Sequence, residues 1–169
     1  MTGNRDFVLP SEVVLPGHHI TVEVVHPARR LPRRFLQRAI TAVLEGESVP
    51  TAEISVVLCD DAFIRHINAE YLQHDWATDV ISFPLSHAPL MGELYISVDT
   101  ARRQAAEYGV SLQNELVRLA VHGVLHLVGY DDQTDAEQAL MHSLQESYVA
   151  RLTKRCTDTS DKRRSSYAR

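Results

Sequence analysis

The segment that most constrains this chain is SLQNELVRLAVHGVLHLV, Ser111 to Val128. Leu112, Leu116, Leu119, Ala120, Val121, Val124, Leu125, Leu127 and Val128 wrap most of a helical circumference. A helix apolar nearly all round is a buried one, so the rest of the chain has to enclose it. Ser111 suits its start as a side-chain cap. Gly129 suits its end, where a left-handed turn costs glycine little. The polar residues of the segment form one narrow stripe: Ser111, Glu115, Arg118, His122 and His126. Unpaired polar groups on a buried helix are costly, so that stripe needs a cleft, a partner or a ligand.

The remaining elements follow from period and punctuation. Strands are expected over Ile20–Val25, Ala52–Cys59, Val80–Phe83 (stopped by Pro84) and Glu93–Val98. Helices are expected over Leu31–Glu45, over Asp61–Leu72 capped by Asp60, from Asp99 through Tyr108, and from Thr134 or Asp135 to about Leu152. Ser86–Met91 reads as a loop. The strands do not alternate strictly with helices, so the class is α+β in a single domain. Residues 1–18 read as a loose arm, and periodicity stops after Thr153. The tail is basic: residues 151–169 carry seven Lys or Arg against two Asp, in a chain whose net charge is -5. Residues 154–169 are expected to be a disordered, solvated tail, or else a flexible arm for phosphate. No run approaches the roughly 18 apolar residues of a membrane span. The first residues lack a basic-then-apolar signal pattern. Two cysteines do not make a disulfide framework. A cytoplasmic protein with no membrane partner is the expectation.

His122 and His126, at i and i+4, place two imidazoles on one face, suited to sharing a metal. Such a pair also occurs as plain structure. The turn at Gly129 can send Tyr130, Asp131 and Asp132 back toward the histidines, which makes Asp132 a third ligand. Two imidazoles and a carboxylate leave one position open, the pattern of a catalytic zinc site with one Zn2+ ion. The spacing also fits a zincin-like metalloprotease. Those enzymes carry a glutamate directly after the first histidine, and Gly123 has no side chain to move a proton.

The stretch HGVLHLVGYDD, His122 to Asp132, resembles the signature H-G-x-L-H-L-x-G-Y-D-H of the YbeY family of bacterial rRNA-maturation endoribonucleases. The stretch INAEYLQHDWATDVISFP, Ile67 to Pro84, resembles the family's second block, L-N-x-x-Y-R-x-x-D-x-P-T-D-V-L-S-F-P. Gly92-Glu93 followed by Ile96-Ser97 is similar to a third. The resemblance implies one metalloprotein domain over residues 19–153, with a mixed four-stranded sheet packed on the central metal-bearing helix and flanking helices. It implies zinc-dependent, single-strand-specific endoribonuclease activity in maturation of the small-subunit rRNA 3' end and in ribosome quality control. The partners would be single-stranded RNA, rRNA and the small ribosomal subunit. His122 and His126 fall on metal ligands, and Asp132 on the family's third histidine. The family arginine that helps hold or cleave the RNA phosphate falls on Leu72, and the motif proline on Ala77.

No residue is assigned as general base. Asp131 and Glu93 have the chemistry, and Asp131 is expected to orient a ligand or cap a turn. Thr78, Asp79 and Ser82 are candidates to line an RNA groove, or to shape the entry to a strand. Trp76, in the loop, is expected to pack or to stack on a base. Arg65 or the basic C-terminal arm is a candidate to supply the cation in place of the missing arginine. A second reading is a non-catalytic, metal-stabilised factor that binds rRNA during ribosome assembly.

Overall fold

The computed structural model describes the backbone of residues 17–28 and 30–164, with side chains through Thr153. The expected arm therefore lies outside the described residues but for its last two positions, which already belong to a strand. The chain runs β1 (Gly17–Val24), α1 (Arg33–Gly46), β2 (Thr51–Cys59), α2 (Asp61–Leu72), β3 (Val80–His87), β4 (Leu90–Ser97), α3 (Val98–Tyr108), α4 (Leu112–Leu127) and α5 (Asp135–Arg164). The class is α+β, as expected, and the four-stranded sheet is mixed, in the order β1-β2-β4-β3. β1 and β4 flank β2 in parallel, and β3 pairs antiparallel with β4. Parallel neighbours need a crossover, which α1 supplies between β1 and β2. α2 carries the chain to the far edge, and the β3–β4 hairpin returns it to the middle.

Alternation along each strand decides where the core lies. Ile54, Val56, Leu58, Leu90, Leu94 and Ile96 point to one face and are buried there. On that face α4 packs against α1, α3, α5, β3 and β4. Leu116, Val117, Ala120, Val121, Val124, Leu125 and Leu127 of α4 are fully buried. Each such side chain stabilises the fold by about 1.5–3 kcal/mol. The nearly uniform apolar wrap of this helix thus has its reason: it is enclosed on every side except along Arg118, His122 and His126 of the polar stripe. Gly123 lets it come close to the sheet. A Cβ there would lie 2.7 Å from Leu94 Cδ2 and 3.0 Å from Ser82 Oγ.

Several boundaries depart from expectation. Pro84 does not stop β3, which continues to His87 with an irregularity between Pro84 and Ser86. β3 is the sheet edge, where a missing N–H is tolerated because one side of the strand has no partner. The expected loop at 86–91 is instead the end of a hairpin: Ser86 pairs with Met91 and His87 with Leu90, and only Ala88 and Pro89 form the turn. Asp99 does not cap α3. Ser97 does, accepting from the Thr100 N–H at 3.1 Å. Asp99 accepts from His26 Nε2 at 3.0 Å and from the Asp61 N–H at 3.2 Å, tying β1's exit to α2. The other caps fall where expected. Asp60 accepts from Phe63 N–H and Ser111 from Asn114 N–H. Thr134 and Glu137 cap α5 reciprocally: the Thr134 N–H donates to Glu137 and the Glu137 N–H to Thr134 Oγ1. α5 does not end near Leu152. Its backbone stays helical to Arg164, across most of the stretch expected to be disordered, and residues 165–169 lie outside the described ones.

Three tyrosines contribute to the response to alkali, together with the Cys59 thiol, which burial pushes up to about 12. Burial, with Glu47 beside it, pushes the Tyr148 hydroxyl up to about 12. Burial, with Glu93 beside it, does the same to Tyr95, also to about 12. A hydrogen bond to Glu47 raises Tyr130. A phenol with a raised folded pKa stabilises the fold below its unfolded value of about 10 and loses that contribution as pH climbs through the folded value. Stability should fall between pH 10 and 12. Denaturant titrations across that range should show a shallower fall in Tyr148→Phe than in wild type, and equal slopes would contradict this origin.

Candidate metal centre

The centre is built at the C-terminal end of α4. His122 and His126 lie one turn apart on the polar stripe. The helix stops at Leu127, and Gly129 takes φ +106, a backbone angle that side chains resist. The Tyr130 N–H then bonds back to the Leu125 carbonyl at 3.0 Å. That reversal brings the Asp132 carboxylate over the histidine face. His122 Nε2 and His126 Nε2 are 3.1 Å apart, and Asp132 Oδ2 is 3.9 Å from the first and 3.7 Å from the second. Among the described residues these are the one group of three or more His, Cys, Asp or Glu whose donor atoms lie within 4.8 Å of one another.

The donor set fits a small divalent ion. Ligands about 2.0–2.2 Å from a tetrahedral ion are about 3.3–3.6 Å from each other, and the three observed separations bracket that. The tautomers agree. The Tyr130 carbonyl can only accept, so His126 Nδ1, 3.0 Å from it, carries the hydrogen. His122 Nδ1 donates in the same way to Gln145 Oε1 at 3.1 Å. Burial, and His126 beside it, lower the His122 pKa, which keeps that ring neutral. Two bare Nε2 lone pairs and a carboxylate therefore converge on one point, an arrangement that repels itself without a cation. All three side chains keep partial exposure, so the outer side of the centre is open.

Two supports of this geometry were invisible in the sequence. Gln145 sits on α5, and its carboxamide is held from the other side by Glu146, 3.5 Å from Nε2. Glu146 is in turn paired with Arg118 of the stripe. Glu47, just after α1, accepts from the Tyr130 hydroxyl at 2.8 Å and from the Tyr148 hydroxyl at 2.6 Å. Tyr130 is the residue whose carbonyl orients His126. Glu115, further down the stripe, is buried, and its burial raises its pKa. Second-layer partners of metal-binding histidines usually contribute 10–100-fold in affinity. Gln145→Leu should therefore bind zinc about 10–100-fold more weakly, measured by competition with a chromophoric chelator. Wild-type affinity in that variant would show that His122 needs no such partner.

The centre opens into a groove of about 910 Å³. Thr78, Asp79, Ser82 and Asp131 line it with the three triad residues. Three of the four are also engaged in shaping the fold. Asp79 accepts from the Val80 N–H and from Gln104, and so guides the chain into β3. Ser82 donates to the Gly123 carbonyl at 3.2 Å, joining β3 to α4. Asp131 accepts from the Asp132 N–H at 2.8 Å, which holds the carboxylate turn. Glu93 is not part of the centre. It lies on the opposite face of the sheet from α4, bonded to Tyr95, because strand alternation puts Glu93 and Leu94 on opposite sides. Arg65 is not free to replace the missing arginine. Asp75 holds it in a fork of two bonds, 2.8 and 3.0 Å. Leu72 lines the groove, and among the described lining residues there is no Lys or Arg. Trp76 does not pack inward: it is 58% exposed.

A model of the Endoribonuclease YbeY family matches residues 23–153, nearly all of the described domain. The chain belongs to the YbeY family. It is 47% identical to the Endoribonuclease YbeY of Chloroherpeton thalassium over 125 residues, spanning 73% of this chain and 89% of that relative. It is 41% identical to that of Chlorobium luteolum over 125 residues, 73% and 91% of the two chains. The solution structure of a Thermotoga maritima protein shares the fold, with a TM-score of 0.62, over 83% of this chain and 93% of that one at 24% identity. The YbeY match runs from the last two residues of β1 to Thr153 in α5, so the triad, the groove and Leu72 all lie inside it. No helix among the described residues is long and apolar enough to cross a membrane.

Proposed function

We propose that this YbeY protein is a zinc-dependent, single-strand-specific endoribonuclease that works in the cytoplasm on rRNA of the small ribosomal subunit, at its 3' end. Membership of an endoribonuclease family supports hydrolysis of RNA. The observation that carries the metal dependence is the convergence of His122 Nε2, His126 Nε2 and Asp132 Oδ2 with both imidazole tautomers set for ligation. These three residues would hold the ion. When bound, a divalent metal with an open position polarises a phosphate oxygen and lowers the pKa of a water molecule. The chain's own residues supply the rest. Gln145 and the Tyr130 carbonyl orient the two rings. Asp131 holds the turn that presents Asp132. Thr78, Asp79 and Ser82 form the groove floor along which a strand would lie.

One observation favours the second, non-catalytic reading: Leu72 stands where the family arginine would meet the phosphate, and no described lining residue is a Lys or Arg. Purified protein with zinc, an rRNA fragment containing single-stranded segments, and His126→Ala as control separate the two. Metal-dependent cleavage by the wild type alone supports the nuclease. Intact RNA bound equally by both proteins supports an assembly factor. Turnover of casein would support a protease and overturn both.

A further inference from the structure

We propose that the stacked rings of His74 and Trp76 form a nucleobase platform in the groove of the metal centre, a subsite for one unpaired base of the RNA. The proposal deepens the endoribonuclease reading and rests on it.

The two rings lie 4.5 Å apart between centroids and 15° from parallel. Both line the same groove as His122, His126 and Asp132. An indole left 58% exposed keeps a large apolar surface in water. Nothing in the fold uses that surface, whereas the Phe and Tyr ring pairs near it join the sheet: Phe63 with Tyr95, Tyr71 with Phe83, Phe83 with Tyr95.

The loop bearing the pair is held in place. Gln73 ends α2 in the left-handed conformation, and the His74 N–H bonds to the Asn68 carbonyl at 3.2 Å. Asn68 is buried, and its Nδ2 donates to the Trp76 carbonyl at 2.9 Å. Between the two rings, Asp75 is forked onto Arg65. Four hydrogen bonds thus fix a seven-residue connection, residues 73–79, that carries the aromatic pair. A platform held before binding loses little entropy when a ligand arrives.

Charge completes the argument. A groove for nucleic acid usually tracks phosphates with Lys and Arg. This one is lined by Asp79, Asp131 and Asp132 and, among the described residues, by no Lys or Arg. Away from the metal, the described lining therefore offers a phosphate no Lys or Arg, whereas the aromatic pair offers a base a stacking surface. Each base–aromatic stack is worth roughly five- to a hundred-fold in affinity and requires an unpaired base. The platform would thus also contribute to selection of single strands.

Trp76 is the only tryptophan, so its fluorescence reports the subsite alone. The zinc-loaded protein would be titrated with an eight-nucleotide 2'-O-methyl oligoadenylate and with an abasic oligomer of equal length and charge. The oligoadenylate should quench the emission, and the abasic oligomer should not. By polarisation of a labelled oligoadenylate, Trp76→Ala should bind about ten-fold or more weakly and Trp76→Phe should recover most of the loss. Tyr108→Ala, an equally exposed aromatic outside the groove, should bind as wild type. Equal quenching by the two oligomers, or wild-type affinity in Trp76→Ala, overturns the platform even if RNA is cleaved. If the wild type neither binds nor cleaves RNA, the endoribonuclease reading falls, and the platform with it.

Discussion

His126→Ala will cut single-stranded RNA about a thousand-fold more slowly than wild type, or worse, and will lose its metal on dialysis. The magnitude follows from what the ion is asked to supply. Lewis-acid stabilisation of a developing phosphate charge is worth several kcal/mol, and about 4 kcal/mol is three powers of ten in rate. Removing Nε2 leaves His122 and Asp132, two donors 3.9 Å apart, too few to retain an ion against water. The variant should still fold. His126 is partly exposed at the end of α4, its removal empties no core volume, and alanine is the best helix former. Metal content by mass spectrometry, single-turnover cleavage and a thermal melt would be read together. Metal lost with cleavage intact would refute the route. Metal and cleavage both retained would refute the triad.

Much of this centre was legible because it is local. His122, Gly129 and Asp132 lie within one helix end and one turn, where spacing and the conformational freedom of glycine decide geometry. The buried character of α4 was legible for the same reason: an apolar wrap is written along one segment. What stayed hidden crosses the chain. Gln145 reaches His122 from α5, and Glu47 reaches Tyr130 across 83 positions. No periodicity carries such pairings. Pro84 misled because a proline reads as a strand end unless the strand is known to be an edge, and edge position is a property of the sheet. Asp99 looked like a helix cap, but Ser97 lay two residues earlier. Asp99's actual partners, His26 and the Asp61 N–H, come from elements distant in sequence. Trp76 is the reverse case. Packing was the ordinary expectation for a single loop tryptophan, and only the fold reveals that the loop holds it out over the groove.

The hidden supports make a prediction far from the chemistry. Gly46→Ala should destabilise the fold by about 3 kcal/mol, a fall in melting temperature of roughly 10 °C for a domain of this size. Gly46 is the last residue of α1, and a Cβ there would lie 2.1 Å from the Tyr148 hydroxyl and 2.9 Å from two ring carbons. Tyr148 cannot swing aside cheaply. Its ring is 4% exposed, and its hydroxyl donates to Glu47 at 2.6 Å. Displacing it combines the overpacking cost with about 1 kcal/mol for the lost hydrogen bond. The disturbance should not stop there. Glu47 holds both Tyr148 and Tyr130, and the Tyr130 carbonyl holds the His126 tautomer. Zinc affinity should therefore also drop, by up to about ten-fold, although Gly46 touches none of the three ligands. A double-mutant cycle tests the cause. Tyr148→Ala removes the group that Gly46→Ala strikes, so the combined loss should be smaller than the sum of the two by about 1–3 kcal/mol. Strict additivity would mean that α1 ends in glycine for a reason other than the ring of Tyr148.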